Sequence, residues 1–147
     1  MREKGYRNLT PVSPGMFGYS WVRQGQHADL IEDVMEQLAA YRIEVEAMHT
    51  ETGPGVYETA IRYDDALEAA DQAALFKTTM KILCTRHGCT PTFMAKWNPD
   101  MPGSSGHIHQ SLWNASDDEN LFADPKSELG LSALAQRYLA GDRKSVV

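Results

Sequence analysis

The sequence predicts an α+β domain, an antiparallel sheet with packed helices. Three observations carry that reading. Apolar residues recur at helical spacing in three separate stretches. Between the first two stretches lie two runs of strand-forming residues joined by the turn sequence Thr52-Gly53-Pro54-Gly55. Helices fall between strand pairs and not after every strand, which separates the pattern from a parallel α/β sheet.

Residues 1–28 mix turn formers with aromatics (Tyr6, Pro11, Pro14, Gly15, Phe17, Gly18, Tyr19, Trp21, Gly25) and show no helical period. They predict loop with at most a short strand. A helix follows. Asp29 stands at an N-cap position with Glu32 three residues on, as in a capping box. Ile31, Val34, Met35 and Leu38 share one face, and the helix is expected to stop near Arg42. Ile43–His49 alternates as a strand, and Val56–Tyr63 is a second, most simply antiparallel to the first. A long helix is expected from about Asp65 to His87, with Gly88 as its terminator and Leu67, Ala70, Ala74, Thr78 and Ile82 as its inner face. Thr90–Lys96 and His107–Trp113 are predicted strands around a Pro/Gly/Ser loop. Ser127 is expected to cap a last helix carrying Leu131, Leu134, Ala135 and Tyr138.

Composition bounds the function. The 147 residues give room for one ordinary domain, with 42% hydrophobic and 23% charged residues. No apolar run reaches the roughly 20 residues of a membrane helix, and Met1–Tyr6 has no apolar core of a signal peptide. The expectation is a cytoplasmic protein without a membrane partner. A net charge of −6 argues against a nucleic-acid partner, since phosphate contact needs a basic surface. Cys84 and Cys89 make no disulfide framework and only half a zinc knuckle, and they read as inert thiols.

Three constellations bear on chemistry. Glu51 and Glu58 flank the tight turn, so their carboxylates are expected close together. They repel unless a cation sits between them, and oxygen ligands suit a hard ion such as Mg²⁺ or Mn²⁺. Two solvated glutamates beside a surface turn is the alternative. His107, His109 and Ser111 alternate, so on a strand they face one way, either as a metal-binding face or as a plain polar one. Pro102-Gly103-Ser104-Ser105-Gly106 offers free N–H groups that can cradle an anion, or is simply a flexible turn. It is not a P-loop, lacking the Gly-Lys-Ser/Thr ending and a following helix.

In combination the blocks resemble the glutamine synthetase family. The resemblance rests on Glu51-Thr-Gly-Pro-Gly-Val-Tyr-Glu58, on Asp71 and Lys77, on Thr92-Phe-Met-Ala-Lys96, and on Pro102-Gly-Ser-Ser-Gly-His-Ile-His-Gln-Ser-Leu112, in that order. It covers about residues 1–140 and implies a partial catalytic domain over 1–141. It also implies roles. Glu51 and Glu58 would hold the metal nearer the glutamate, and His107 a second metal at the nucleotide phosphates. Glu46, His109 and Ser111 would line the ATP site, and Gly103 would offer backbone contact to glutamate. The chemistry implied is phosphorylation of the γ-carboxylate by ATP, then displacement of phosphate by ammonia, in a homo-oligomeric ring. Members of the family are roughly three times as long, so this chain alone would hold an incomplete metal shell and would be inactive.

Three departures from the family pattern matter: Pro102 where Asn is frequent, Val56 where Gln is frequent, and Trp97 after Lys96 where Pro is frequent. By the resemblance, the first two would lie close to the amino-acid and ammonium side of the site. A relative joining glutamate to polyamines or other amines is therefore the alternative, and a non-enzymatic binding or structural relative is a third. Retention of Glu51, Glu58 and His107 speaks against the third. The final hexapeptide, Asp142–Val147, breaks the helical register and reads as a non-native tail resembling translated adapter sequence.

Overall fold

The computed structural model describes residues 8–142. The chain falls into two compact units, one ending at Gly106 and the other starting at His107. No described helix is long and apolar enough to cross a membrane.

The first unit opens on loop and then a short helix, α1 (Trp21–Gly25), where the sequence predicts loop or strand. Ser20 supplies its cap, its Oγ accepting from the Arg23 N–H at 3.4 Å. Helix α2 (Ala28–Ala40) begins one residue before the expected Asp29 cap. His27 is the N-cap without a side-chain bond, and Asp29 sits in the first turn, where its charge favours the helix dipole. Val34 and Leu38 are fully buried, as their spacing predicts. The helix ends at Ala40 with Tyr41 as its C-cap, and Arg42 just beyond takes a left-handed conformation at φ 60°.

Strands β1 (Val45–Thr50) and β2 (Tyr57–Ile61) form the expected antiparallel pair. The pairing runs from Thr50–Tyr57 to Val45–Ile61, with an irregularity between Val45 and Ala47 that leaves Glu46 as the extra, bulged residue. Helix α3 (Ala66–Arg86) matches its predicted span. Its inner face does not match. Gln72, Thr79, Leu83 and Cys84 are buried, whereas Leu67 is 76% and Ile82 50% exposed. Ala and Thr fill much of both faces, so apolar spacing alone does not select one. The core gathers Val34, Leu38, Ile43 and Leu83, with Leu30, Val45, Met48, Ile61, Phe76 and Met80 packed around them.

The predicted strands at 90–96 and 107–113 do not form. Residues 102–112 carry no regular structure, and Trp113 makes one isolated bridge, to Asn120. Alternation sets which side chains share a face, but a strand also needs a neighbour to take its N–H and C=O groups along its length; among the described residues the backbone pairing here begins only at Leu112, whose carbonyl accepts from Leu121 N–H at 2.7 Å. In the second unit, helix α4 (Ala133–Asp142) is capped by Ser132, not Ser127. The Ser132 Oγ accepts from Ala135 N–H at 3.1 Å and donates to the Leu121 carbonyl at 2.7 Å. Ser127 instead closes the preceding turn, bonded to Asp124 and Leu131. Residues 143–147 of the suspected tail lie outside the described residues, as does Met1–Tyr6.

Candidate metal centre

The site is built on the β1–β2 hairpin. Glu51 N–H donates to the Val56 carbonyl at 2.8 Å, and Val56 N–H donates to Gly53 at 3.1 Å, which closes the loop. Gly55 turns the chain at φ 71°, a conformation that glycine adopts without strain. Its N–H donates to the buried Ser13 hydroxyl at 3.1 Å, so the N-terminal loop braces the turn.

This turn brings Glu51 and Glu58 together, as their spacing predicts, and adds a residue that the spacing reading missed. His49 pairs directly across the strands with Glu58. One ligand atom each from His49, Glu51 and Glu58 lies within 4.8 Å of the others. His49 Nδ1 stands 3.5 Å from a Glu51 carboxylate oxygen. Among the described residues no lysine or arginine forms an ion pair with either glutamate. Two carboxylates and an imidazole without a neutralising side chain fit a hard or borderline divalent ion.

Tyr19 covers the cluster. Its ring stacks on His49 with centroids 4.8 Å apart, and its hydroxyl bonds Glu51. That bond, then the negative charge of Glu51, raises the hydroxyl above the ordinary phenol range. Tyr19 itself is held at φ 54°, a conformation disfavoured for a bulky side chain. Its N–H donates to the Thr50 carbonyl at 2.6 Å, and the next N–H, of Ser20, donates to Thr50 Oγ1 at 3.0 Å. Gln24 of α1 adds a bond to the Met48 carbonyl at 3.0 Å. The N-terminal loop and α1 are thus fastened along the end of β1. His49 was legible as the residue two before Glu51 on an alternating strand. Tyr19, thirty-two positions away, left no local signal.

Gly103 lies beside the same hairpin. A side chain on Gly53 would sit 3.5 Å from the Pro102 carbonyl. Gly103 crosses Ala95 so closely that a Cβ would lie 2.4 Å from the Ala95 oxygen, and Ser104 N–H donates to that oxygen at 2.8 Å. Glu46 is exposed on the bulge of β1. His107, His109 and Ser111 belong to the second unit and are exposed, with Ser111 Oγ accepting from the Trp113 indole N–H at 3.1 Å.

Comparison with known proteins places this hairpin in a wider group. A family model, glutamine synthetase catalytic domain, matches residues 3–146. Type-1 glutamine synthetase 2 of Dictyostelium discoideum is 43% identical over 94% of this chain and 26% of its own length. Glutamate–isopropylamine ligase of a Pseudomonas species is 38% identical, over 92% of this chain and 29% of its own. Gamma-glutamylethanolamide synthetase GlnA4 of Streptomyces coelicolor is 37% identical over 95% and 29%. The solved structure of GmaS without ligand superposes at a TM-score of 0.79 with 31% identity, covering 88% of this chain and 30% of that one. The chain therefore spans less than a third of the length of these relatives.

Proposed function

The chain belongs to the glutamine synthetase catalytic-domain family, and from that premise we propose that the protein carrying it is an ATP-dependent ligase that amidates the γ-carboxylate of glutamate through a γ-glutamyl phosphate, with ammonia as acceptor. The observation that carries the reading is the hairpin cluster, His49, Glu51 and Glu58 within 4.8 Å of one another.

Glu51 and Glu58 would hold Mg²⁺ or Mn²⁺, with His49 in reach of the same ion. A bound divalent ion supplies neutralisation of phosphate charge and in-line orientation of the displacement. The chain's own groups do the rest. Tyr19 holds the Glu51 carboxylate by a hydrogen bond and fixes the His49 ring by stacking. Gly103, which no side chain can replace without moving Ala95, presents backbone toward the glutamate substrate. His107 would serve a second ion, with Glu46, His109 and Ser111 at the nucleotide. Ligands for ATP, glutamate and metal beyond these, and the homo-oligomeric ring, would come from the rest of the protein. The 147-residue chain by itself is expected to show no ligase turnover.

An organic amine as acceptor is the second reading. Val56 stands in the turn of the candidate metal centre where glutamine is frequent in the family, and of the relatives above one is named as a glutamate–isopropylamine ligase and another as a gamma-glutamylethanolamide synthetase. The test is ATP- and glutamate-dependent phosphate release by the protein expressed from its complete gene. Ammonia, methylamine, ethanolamine, isopropylamine and polyamines are offered in turn. Ammonia as the best acceptor supports the first reading, an organic amine the second. No turnover with any amine refutes both.

A further inference from the structure

We infer that Cys84 and Cys89 form an oxidisable dithiol, a modification site that peroxide converts to an intramolecular disulfide. The argument begins at the end of α3. His87 caps the helix, and Gly88 follows at φ 70°. Gly88 N–H donates to the Thr85 carbonyl at 3.1 Å, and Cys89 N–H donates to the Cys84 carbonyl at 2.7 Å. These two bonds define a Schellman motif, in which the side chains at the two positions held here by Cys84 and Cys89 frequently meet.

The same molecule shows what the motif does to that pair. Helix α2 ends identically: Arg42 N–H donates to Ala39 and Ile43 N–H to Leu38, each at 2.9 Å. The corresponding side chains there are Leu38 and Ile43, both buried in one cluster. At the end of α3 both positions are cysteine. A carbonyl, a hydrogen bond of 2.7 Å and one N–Cα bond join their α-carbons. With standard bond lengths and the roughly 120° angle at the carbonyl carbon, that linkage caps the Cα–Cα separation at about 6.6 Å. A disulfide spans roughly 4.4–6.8 Å.

The two thiols differ in access. Cys84 is buried, and burial together with the neighbouring Cys89 pushes it up, so it stays protonated and shielded. Cys89 is half-buried and, with His87, His27 and Asp29, lines a cavity of about 180 Å³. Nearby, the Tyr57 hydroxyl is buried with no hydrogen-bond partner among the described residues, and Cys89 acts on it electrostatically. It is an available donor for an oxygen carried on Cys89. The Cys89 sulfur attacks one peroxide oxygen, the O–O bond breaks, and water leaves, giving a sulfenic acid. The Cys84 sulfur then attacks the sulfenyl sulfur, the S–O bond breaks, and a second water leaves with the Cys84 proton. Two thiols are oxidised and one peroxide is reduced to two waters.

Arg86 lies between the cysteines, so trypsin separates residues 82–86 from residues 87–96 unless a disulfide joins them. The protein expressed from its complete gene is treated with equimolar hydrogen peroxide, alkylated, digested and weighed. The expected product is the joined peptide pair, two hydrogens lighter than its parts and separated by dithiothreitol. In Cys84→Ser the reaction is expected to stop at Cys89 sulfenic acid, trapped by dimedone. Cys84 and Cys89 both alkylated after peroxide, or Cys89 carried to sulfinic acid while Cys84 stays free, overturns the inference. So does a Cys84→Ser protein whose Cys89 takes no dimedone.

Discussion

Replacing Glu58 by Gln removes one charge from the hairpin cluster and little else. The two side chains have the same shape, and Glu58 sits directly across from His49, so the change falls on the proposed ligand set. Its size follows from charge and distance. A carboxylate about 2.1 Å from a dication gains about 4 kcal/mol even at the dielectric of water. The amide oxygen of Gln remains a neutral ligand and recovers part of that. A net loss of about 2 kcal/mol corresponds to a roughly thirtyfold weaker complex. The assay is a Mn²⁺ titration followed by electron paramagnetic resonance, on the protein expressed from its complete gene. Glu32→Gln, on an exposed turn of α2, is the control and is expected to bind as wild type does. A Glu58→Gln protein within threefold of wild-type affinity refutes the reasoning. The two glutamates would then be solvated neighbours beside a turn.

Three further outcomes are expected. In spectrophotometric pH titration, Tyr19 ionises later than an ordinary tyrosine, because Glu51 accepts its hydrogen bond and opposes a second negative charge. Glu51→Gln therefore moves one tyrosine transition to lower pH, and an unmoved difference spectrum contradicts the contact. Arg42→Gly relieves a left-handed residue at the end of α2 and is expected to stabilise the protein by about 1 kcal/mol in denaturant titration. A destabilised variant would show that the Arg42 side chain matters more than its backbone. Gly103→Ala places a methyl group 2.4 Å from the Ala95 oxygen and must move the loop. Its KM for glutamate is expected to rise at least tenfold with Mn²⁺ affinity unchanged, and an unchanged KM separates Gly103 from the substrate.

The parts that were legible in the sequence are those fixed by short-range rules. The hairpin is one. Its turn residues, its alternation and the Glu51–Glu58 spacing all act within a few residues, so strand pairing and the carboxylate cluster follow directly. Helix existence is another, since α2, α3 and α4 form near their predicted places. Caps were less legible. Ser127 and Ser132 both precede the last helix, and the choice between them is made by the Leu121 carbonyl, which takes the Ser132 hydroxyl.

What stayed hidden depends on which surfaces meet. Helix α3 carries two candidate stripes, and the one chosen as inner is the one left outside. Its Ala and Thr positions give almost no preference in transfer energy, so contact with α2 and the sheet decides the rotation. Tyr19 makes the same point at the site. Its position over His49 depends on the Tyr19 and Ser20 N–H groups donating to Thr50, partners about thirty residues apart that no local pattern connects. A residue held at positive φ by such bonds is costly to place and contributes little burial at 70% exposure. The contacts that offset that cost are those with Glu51 and His49, the two candidate ligands adjacent to it. Backbone strain is therefore placed beside the Glu51 carboxylate, which is the physical reason to count Tyr19 among the groups that would position the proposed metal centre.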